Sequence, residues 1–337
     1  MLKDLSGFWL PTFHPGLNVA TPIGRMPRPE SLALKRPPVA PFAVPGARGG
    51  PRPGGAAKDP LSPAQLLRSS SAAVTDVGRR RTGNEDCYQL WTAEPGGVAH
   101  AAEKLLVVCD GMGGSNAGEV ASHMAAGTIV REFSAAAPND AAAALTHAVE
   151  VANTEIWDLS RTRTDLNGMG TTCTVVAVKG GDVLVAHVGD SRAYLVRDHR
   201  ATQLTTDHSL VAQLVARNQL SVEEARHDPR RNVVTRSVGV GPDVEVDIVK
   251  LGEPLQGGDT IVICSDGLHG QVSDDEIAGT AMGESLESAC RELIELANER
   301  GGPDNITVAM FRAEDAGAKP GNLLVRWWRA LVGRSRG

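Results

Sequence analysis

The chain is 337 residues long, 42% hydrophobic and 22% charged, the composition of a soluble globular protein with room for one large domain or two ordinary ones. Its net charge of −6 is uneven: residues 1–70 carry nine Lys/Arg against three Asp/Glu, residues 318–337 carry five against none, and the stretch between them carries −17. An acidic body speaks against a nucleic-acid partner, which needs a basic footprint, and is compatible with binding cations.

Residues 1–70 hold 13 of the 20 prolines, which neither a helix interior nor a strand ladder tolerates. A disordered Pro/Gly-rich arm is expected there, with the apolar island Phe8–Phe13 as a docking segment. Asp4 and Pro11 break any leader-like pattern at the start. Folded structure is expected over 71–314. "SAAVTDVG" from Ser71 and "CYQLW" read as strands, and Lys104–Cys109 is an apolar run of buried-strand length. Helices are expected over 116–137 and 140–162. Strands follow at Thr171–Val178, Asp182–Val188 and Arg192–Val196, then two short helices within 207–226. A strand at Val244–Val249, another at Thr260–Ser265, helices at Ser273–Met282 and Ser285–Arg300 and a strand at Asn305–Phe311 complete the order. Strands in runs with helices in pairs predict an α+β fold with mainly antiparallel sheets and helices packed outside. Residues 315–337 form a basic, amphipathic tail in which Leu324, Trp327, Trp328 and Leu331 recur at helical spacing. Such a tail suits an anionic membrane surface, a partner groove, or packing on its own domain. No apolar run reaches about 18 residues, so no spanning helix is expected. The five scattered cysteines form no CxxC pair, which points to a reducing cytoplasm and away from zinc.

Five Asp-centred segments stand at strand ends or turns: "RRRTGNEDC", "VVCDGMGG", "AHVGDSRAYLV", "VICSDGL" and "GGPDNITV". Asp110 and Asp266 each follow an apolar run and precede a glycine. A carboxylate at the mouth of a buried strand is costly unless it is paired or bound to metal, and several together repel. A hard divalent cation relieves both problems, and oxygen ligands without His or Cys favour Mg²⁺ or Mn²⁺. Any one of these alone reads as an Asp–Gly turn or a helix cap. The glycines of "DGMGGSNAG" suggest a nucleotide loop only superficially, because the Lys-Ser/Thr of a phosphate loop is missing.

In order along the chain, "TDVGRRRTGNED", "VVCDGMGGSNAGEVAS", "GMGTTCTVVAV", "VAHVGDSRAYLVRD", "LTTDHSLVAQLV", "NVVTRSVG", "TIVICSDGLHGQVSDDEI" and "GGPDNITVAMF" resemble the bacterial branch of the protein phosphatase 2C family, the metal-dependent protein Ser/Thr phosphatases. The resemblance spans about residues 71–312 and leaves out the arm and the tail. It implies a four-layer αββα sandwich with two Mn²⁺ or Mg²⁺ ions at one end. By the same resemblance Asp110 bridges the ions and the Gly111 carbonyl helps hold the second. Asp266 and Asp304 hold the first, Glu85 supports the second mostly through water, and Asp86 and Asn305 stand behind the ligands. Arg81, four residues before Glu85, matches the arginine that grips the substrate phosphate, although Arg79 and Arg80 compete for that place. A water or hydroxide bridging the metals is then the nucleophile, with no phosphoenzyme intermediate. Met112 stands where some relatives carry a histidine, so a metal-bound water is the expected acid. Asp190 matches a ligand of a third ion, a site weakened here because Gly270 stands where a carboxylate often follows. Asp207–His208–Ser209 reads as a helix cap, and His208 and His227 as packing or surface residues. Phosphoprotein substrates and a cognate Ser/Thr kinase are the implied partners. The alternative, an inactive phosphatase-like sensor or scaffold, is opposed by the survival of Arg81, Asp110, Gly111, Asp266 and Asp304.

Overall fold

The computed structural model describes residues 69–94, 100–113, 116–137 and 139–314. The bulk of the expected arm, up to residue 68, and the expected tail, 315–337, lie outside the described residues.

The elements run β1 (Ser69–Asp76), β2 (Asp86–Thr92), β3 (Lys104–Met112), α1 (Ala117–Ala135), α2 (Ala141–Thr162), β4 (Gly170–Thr171), β5 (Cys173–Lys179), β6 (Asp182–Val188), β7 (Arg192–Arg197), β8 (Arg200–Gln203), α3 (Leu210–Ala216), α4 (Val222–His227), β9 (Asp247–Lys250), β10 (Thr260–Cys264), α5 (Asp266–His269), α6 (Asp274–Ala281), α7 (Leu286–Glu299) and β11 (Ile306–Ala313). They form two sheets, β1-β11-β10-β7-β8 and β2-β3-β5-β6-β9, with β4 paired to β3 beside the second. Every strand pair is antiparallel.

The apolar run "KLLVVC" shows how the layers form. Successive strand side chains point to opposite faces. Leu105, Val107 and Cys109 join a core with Ala121, Ala125, Ile129 and Phe133 of α1 and Leu145, Val149, Ala152 and Ile156 of α2. Leu106 and Val108 turn the other way and meet Ile261, Ile263 and Phe311 of the opposite sheet. Both faces of β3 are therefore covered, which is why it lacks the polar alternation of a half-exposed antiparallel strand. The far face of the first sheet carries Val262 and Val308 against Ile277, Leu293 and Ala297 of α6 and α7. Each fully buried Leu, Ile or Phe contributes roughly 1.5–3 kcal/mol, so the three cores hold the four layers together. The result is the αββα sandwich of the expectation.

Several boundaries differ from the sequence reading. β8 was not expected; it pairs with β7 through a tight turn in which Asp198 and His199 both take positive φ, 50° and 59°. A two-residue hairpin usually signals such a turn with Asn-Gly or Asp-Gly, and here no glycine marks it. α5 is one turn of helix where only a turn was expected. β9 starts at Asp247 rather than Val244, because the preceding chain is drawn onto α2: Asn153 Nδ2 donates to the Gly241 and Pro242 carbonyls. β3 runs on to Met112, because Gly111 and Met112 pair with Thr171 and Gly170 of β4. Asp110 thus lies inside a strand, not at its end. No helix among the described residues is long and apolar enough to cross a membrane.

His187 of β6 is fully buried, contacts Thr174 Oγ1 at 3.0 Å and donates from Nε2 to the Thr206 carbonyl at 3.2 Å. Burial and the neighbouring His208 ring, 4.8 Å away, push its pKa down from 6.5 to about 4. A lowered folded pKa means that between pH 6.5 and 4 the unfolded chain takes up a proton the fold refuses. Stability from this group is therefore present above pH 6.5 and lost on acidification, by up to about 3 kcal/mol. Relative to His187→Gln, wild type loses stability between pH 7 and 4.5 in urea unfolding; a constant difference across that range contradicts the assignment.

Candidate active site

At one end of the sandwich a cleft of about 280 Å³ is lined by Arg81, Glu85, Asp110, Gly111, Met112, Gly113, Thr172, Asp190, Asn232, Val234, Asp266 and Asp304. Residues far apart in sequence meet there because the strand order brings β1, β11 and β10 together in one sheet and β2, β3 and β5 in the other. Of the three consecutive arginines only Arg81 lines the cleft, and its NH2 group donates to Asp304 Oδ2 at 2.7 Å.

Asp110 is directly opposite Asp86 across β2 and β3. Its N–H donates to Thr172 Oγ1 at 2.9 Å and its carbonyl accepts from Thr172 N at 2.8 Å, so backbone and side-chain bonds clamp it in place. Gly111 N–H donates to the Glu85 carbonyl at 3.1 Å, and a Cβ on Gly111 would strike the Gly118 and Glu85 carbonyls. Only glycine permits that approach of three backbone segments. Asn305 organises the facing loop: its Oδ1 accepts from Glu85 N at 2.8 Å, and its Nδ2 donates to the Val77 and Gly83 carbonyls at 2.8 and 2.9 Å. Asp86, 4% exposed, accepts from Ser265 Oγ at 2.8 Å.

The electrostatics are those of crowded, desolvated carboxylates. Burial pushes the Asp110 carboxyl well above its ordinary range, and Asp86, Asp266, Asp190 and Asp304 add repulsion. Burial raises Asp266 to about 6 and Asp190 to about 7. It also raises Asp86 to about 7, against hydrogen bonds from Thr307 and Ser265 that lower it. Glu85 is raised by burial as well, with Arg81 opposing. Among the described residues no three carboxylate, imidazole or thiol groups stand close enough to form a ready-made cage. The carboxylates ring the cleft instead, and among the described residues Arg81 is the only cationic side chain lining it. The donor set nonetheless fits a hard divalent cation: every candidate is an oxygen, and Asp266 Oδ1 and Asp86 Oδ1 are buried with no hydrogen-bond partner.

The remaining positions differ in their settings. His269, held near a pKa of 3 by burial, contacts the Asp190 carbonyl through Nε2 at 2.9 Å. A Cβ on Gly270 would stand 2.8 Å from the Asp266 carbonyl oxygen, so a carboxylate there would require the end of α5 to shift. Ser209, not Asp207, caps α3, accepting from Ala212 N; Asp207 instead accepts a forked pair from Arg192 at 2.7–3.1 Å. His208 packs inside, with Nδ1 accepting from Gly189 N at 3.0 Å and Nε2 facing Asp247 at 3.1 Å, whereas His227 is exposed. Sequence reasoning passed over Thr172, Asn232 and Val234 as lining residues. "TTC" between two strands was the only signal for Thr172.

The chain matches the family model described as protein phosphatase 2C over residues 80–307. It is 39% identical over 251 residues to the serine/threonine phosphatase stp of Listeria monocytogenes serotype 4b, covering 71% of this chain and 94% of that protein. Its fold superposes on the serine/threonine phosphatase of S. agalactiae with a TM-score of 0.66 and 36% identity, covering 73% of this chain and all of the other. The catalytic domain of the serine/threonine protein phosphatase PstP, solved in complex with two manganese ions, gives 0.65 and 33% over 74% of this chain and all of that domain. Fold, sequence and family model thus converge, and the chain belongs to the protein phosphatase 2C family of serine/threonine phosphatases.

Proposed function

We propose that this chain hydrolyses phosphoserine and phosphothreonine in proteins by direct attack of water, with two Mn²⁺ or Mg²⁺ ions held by Asp110, the Gly111 carbonyl, Asp266, Asp304 and, mostly through water, Glu85. The observation that carries the reading is the convergence of Asp110, Asp266, Asp304, Asp190 and Glu85 with Arg81 on one cleft. When bound, divalent cations would supply the positive charge that lowers the pKa of water and offsets the charge of the phosphate. Asp86 and Asn305 support these ligands from behind. Asp190 is the candidate ligand of a third ion, weakened by Gly270.

Arg81 does the substrate-binding work that the chain itself supplies. Its guanidinium is 48% exposed and tethered to Asp304 by one bond, so it can swing to a phosphate and present two parallel donors. Among the described residues no histidine lines the cleft, and Met112 has no proton to give, so the leaving oxygen takes its proton from water. A Ser/Thr kinase must supply the phosphoproteins consumed here.

Mn²⁺-dependent phosphate release from phosphoserine and phosphothreonine peptides tests the reading; release that continues undiminished in excess chelator would overturn it. Arg81→Ala should raise KM about 10–100-fold, the loss of a charge-assisted pair, with a smaller fall in kcat. Arg81→Lys should restore only part, since an ammonium cannot form the fork. A KM unchanged in Arg81→Ala would remove Arg81 from the phosphate.

A further inference from the structure

The turn at 238–242 is held far more firmly than a surface turn requires. Val238 and Thr171 exchange two backbone hydrogen bonds of 2.9 and 3.0 Å. Asn153 of α2, 1% exposed, accepts from Gly239 N at 2.7 Å through Oδ1 while its Nδ2 donates to the Gly241 carbonyl at 3.0 Å. Gly239 takes φ +88°, and a side chain there would collide with Ile156. This rigid frame presents Val240 outward, 49% exposed. Among the described residues only Val222, Val233 and Val240 are strongly exposed large apolar side chains, and all three fall within 222–240.

Val240 also lies beside the cleft. A Cβ on Gly170 would sit 2.6 Å from Val240 Cγ2 and 3.7 Å from Met112 Cγ, so both side chains stand against Gly170. Gly170 and Met112 are register partners across β3 and β4, and Met112 is part of the cleft wall. An apolar ledge therefore runs from the cleft that holds the phosphate-gripping Arg81 to the open surface. A ledge fixed by buried hydrogen bonds loses little freedom when something covers it, so its apolar area converts efficiently into binding.

We propose that Met112 and Val240 form a subsite for an apolar side chain next to the phosphorylated residue of a protein substrate, a reading that rests on the phosphatase function above. Because Met112 belongs to both the cleft wall and the ledge, the residues to test are those one or two places from the phosphorylated side chain. Half-burying a leucine there is worth about tenfold in kcat/KM.

The test uses the full chain with Mn²⁺ and phosphothreonine peptides carrying Leu, Gln or Lys at each of the two positions on either side. Wild type should prefer Leu over Gln about tenfold at one of these positions. Val240→Ser should bring that ratio to within about twofold of unity, and Val240→Asp should turn the preference to Lys. Turnover with no Leu preference at any position, or a preference unchanged in Val240→Ser, overturns the subsite alone. No turnover of any peptide or of p-nitrophenyl phosphate overturns the phosphatase reading, and the subsite with it.

Discussion

Asp110→Asn should lower phosphate release about 10³-fold, roughly 4 kcal/mol of transition-state stabilisation, while the protein becomes harder to melt in chelator. The first half follows from the position of Asp110 as the proposed bridging ligand: an amide keeps the shape and one oxygen but loses the charge. The second half follows from the burial of its carboxyl among four other acids. In the absence of cations the fold holds a proton on Asp110 that the unfolded chain releases above pH 3.8, so stability falls as pH rises through that window. Asparagine has no proton to hold and escapes the penalty. Thermal unfolding at pH 7.5 in chelator should show the variant melting roughly 5 °C above wild type. A variant that is inactive but melts lower would mean that Asp110 is structural rather than a strained functional group.

Asn305→Ala should destabilise the fold by about 3 kcal/mol and lower kcat/KM about 100-fold, because three backbone groups of one loop lose their partner together. Glu85 N–H, the Val77 carbonyl and the Gly83 carbonyl all bond this 4% exposed amide. The loop between them carries Arg81 and Glu85, so its slackening reaches the phosphate and the proposed second ion at once. Asn305→Asp should be no better, since it turns a donor to two carbonyls into a third acceptor facing them. Urea unfolding and kinetics on the same samples check both; a stable Asn305→Asp with normal KM would show that shape, not hydrogen bonding, holds the loop.

How much of this was legible depends on what kind of interaction carried the information. The long apolar run at Leu105–Cys109 and the four-residue spacing of Ala121, Ala125, Ile129 and Phe133 announce a buried strand and a packed helix, because burial imposes a period on sequence. β8 left no such trace: its four residues alternate exposed and half-buried, and its turn is made by Asp198 and His199 without a glycine. Val244–Val249 alternates as a strand should, yet its first three residues do not join the ladder because a side chain 88 residues away claims the neighbouring carbonyl. At the cleft, the Asp-Gly pairs stood out and the family motifs suggested their roles. What the motifs could not show was Asn305 as the hub of the loop, or Asp110 within a strand rather than at its tip. Both depend on hydrogen bonds between residues some 60 to 230 positions apart, which have no local signature.

That separation bears on synthesis. Arg81 meets Asp304 across 223 positions, and among the described residues β1 finds its ladder partner only in β11. During translation the first strand of the domain leaves the ribosome with its edge open, and it stays open until nearly the last residue of the domain has followed. Long-range closure of this kind is slow and leaves a nascent chain dependent on protection from aggregation. It also acts as a quality control that needs no other protein: a chain released before Asp304 lacks Asp304, Asn305 and the whole of β11, so such a truncated product is left without two residues of the proposed site and without the strand that closes β1.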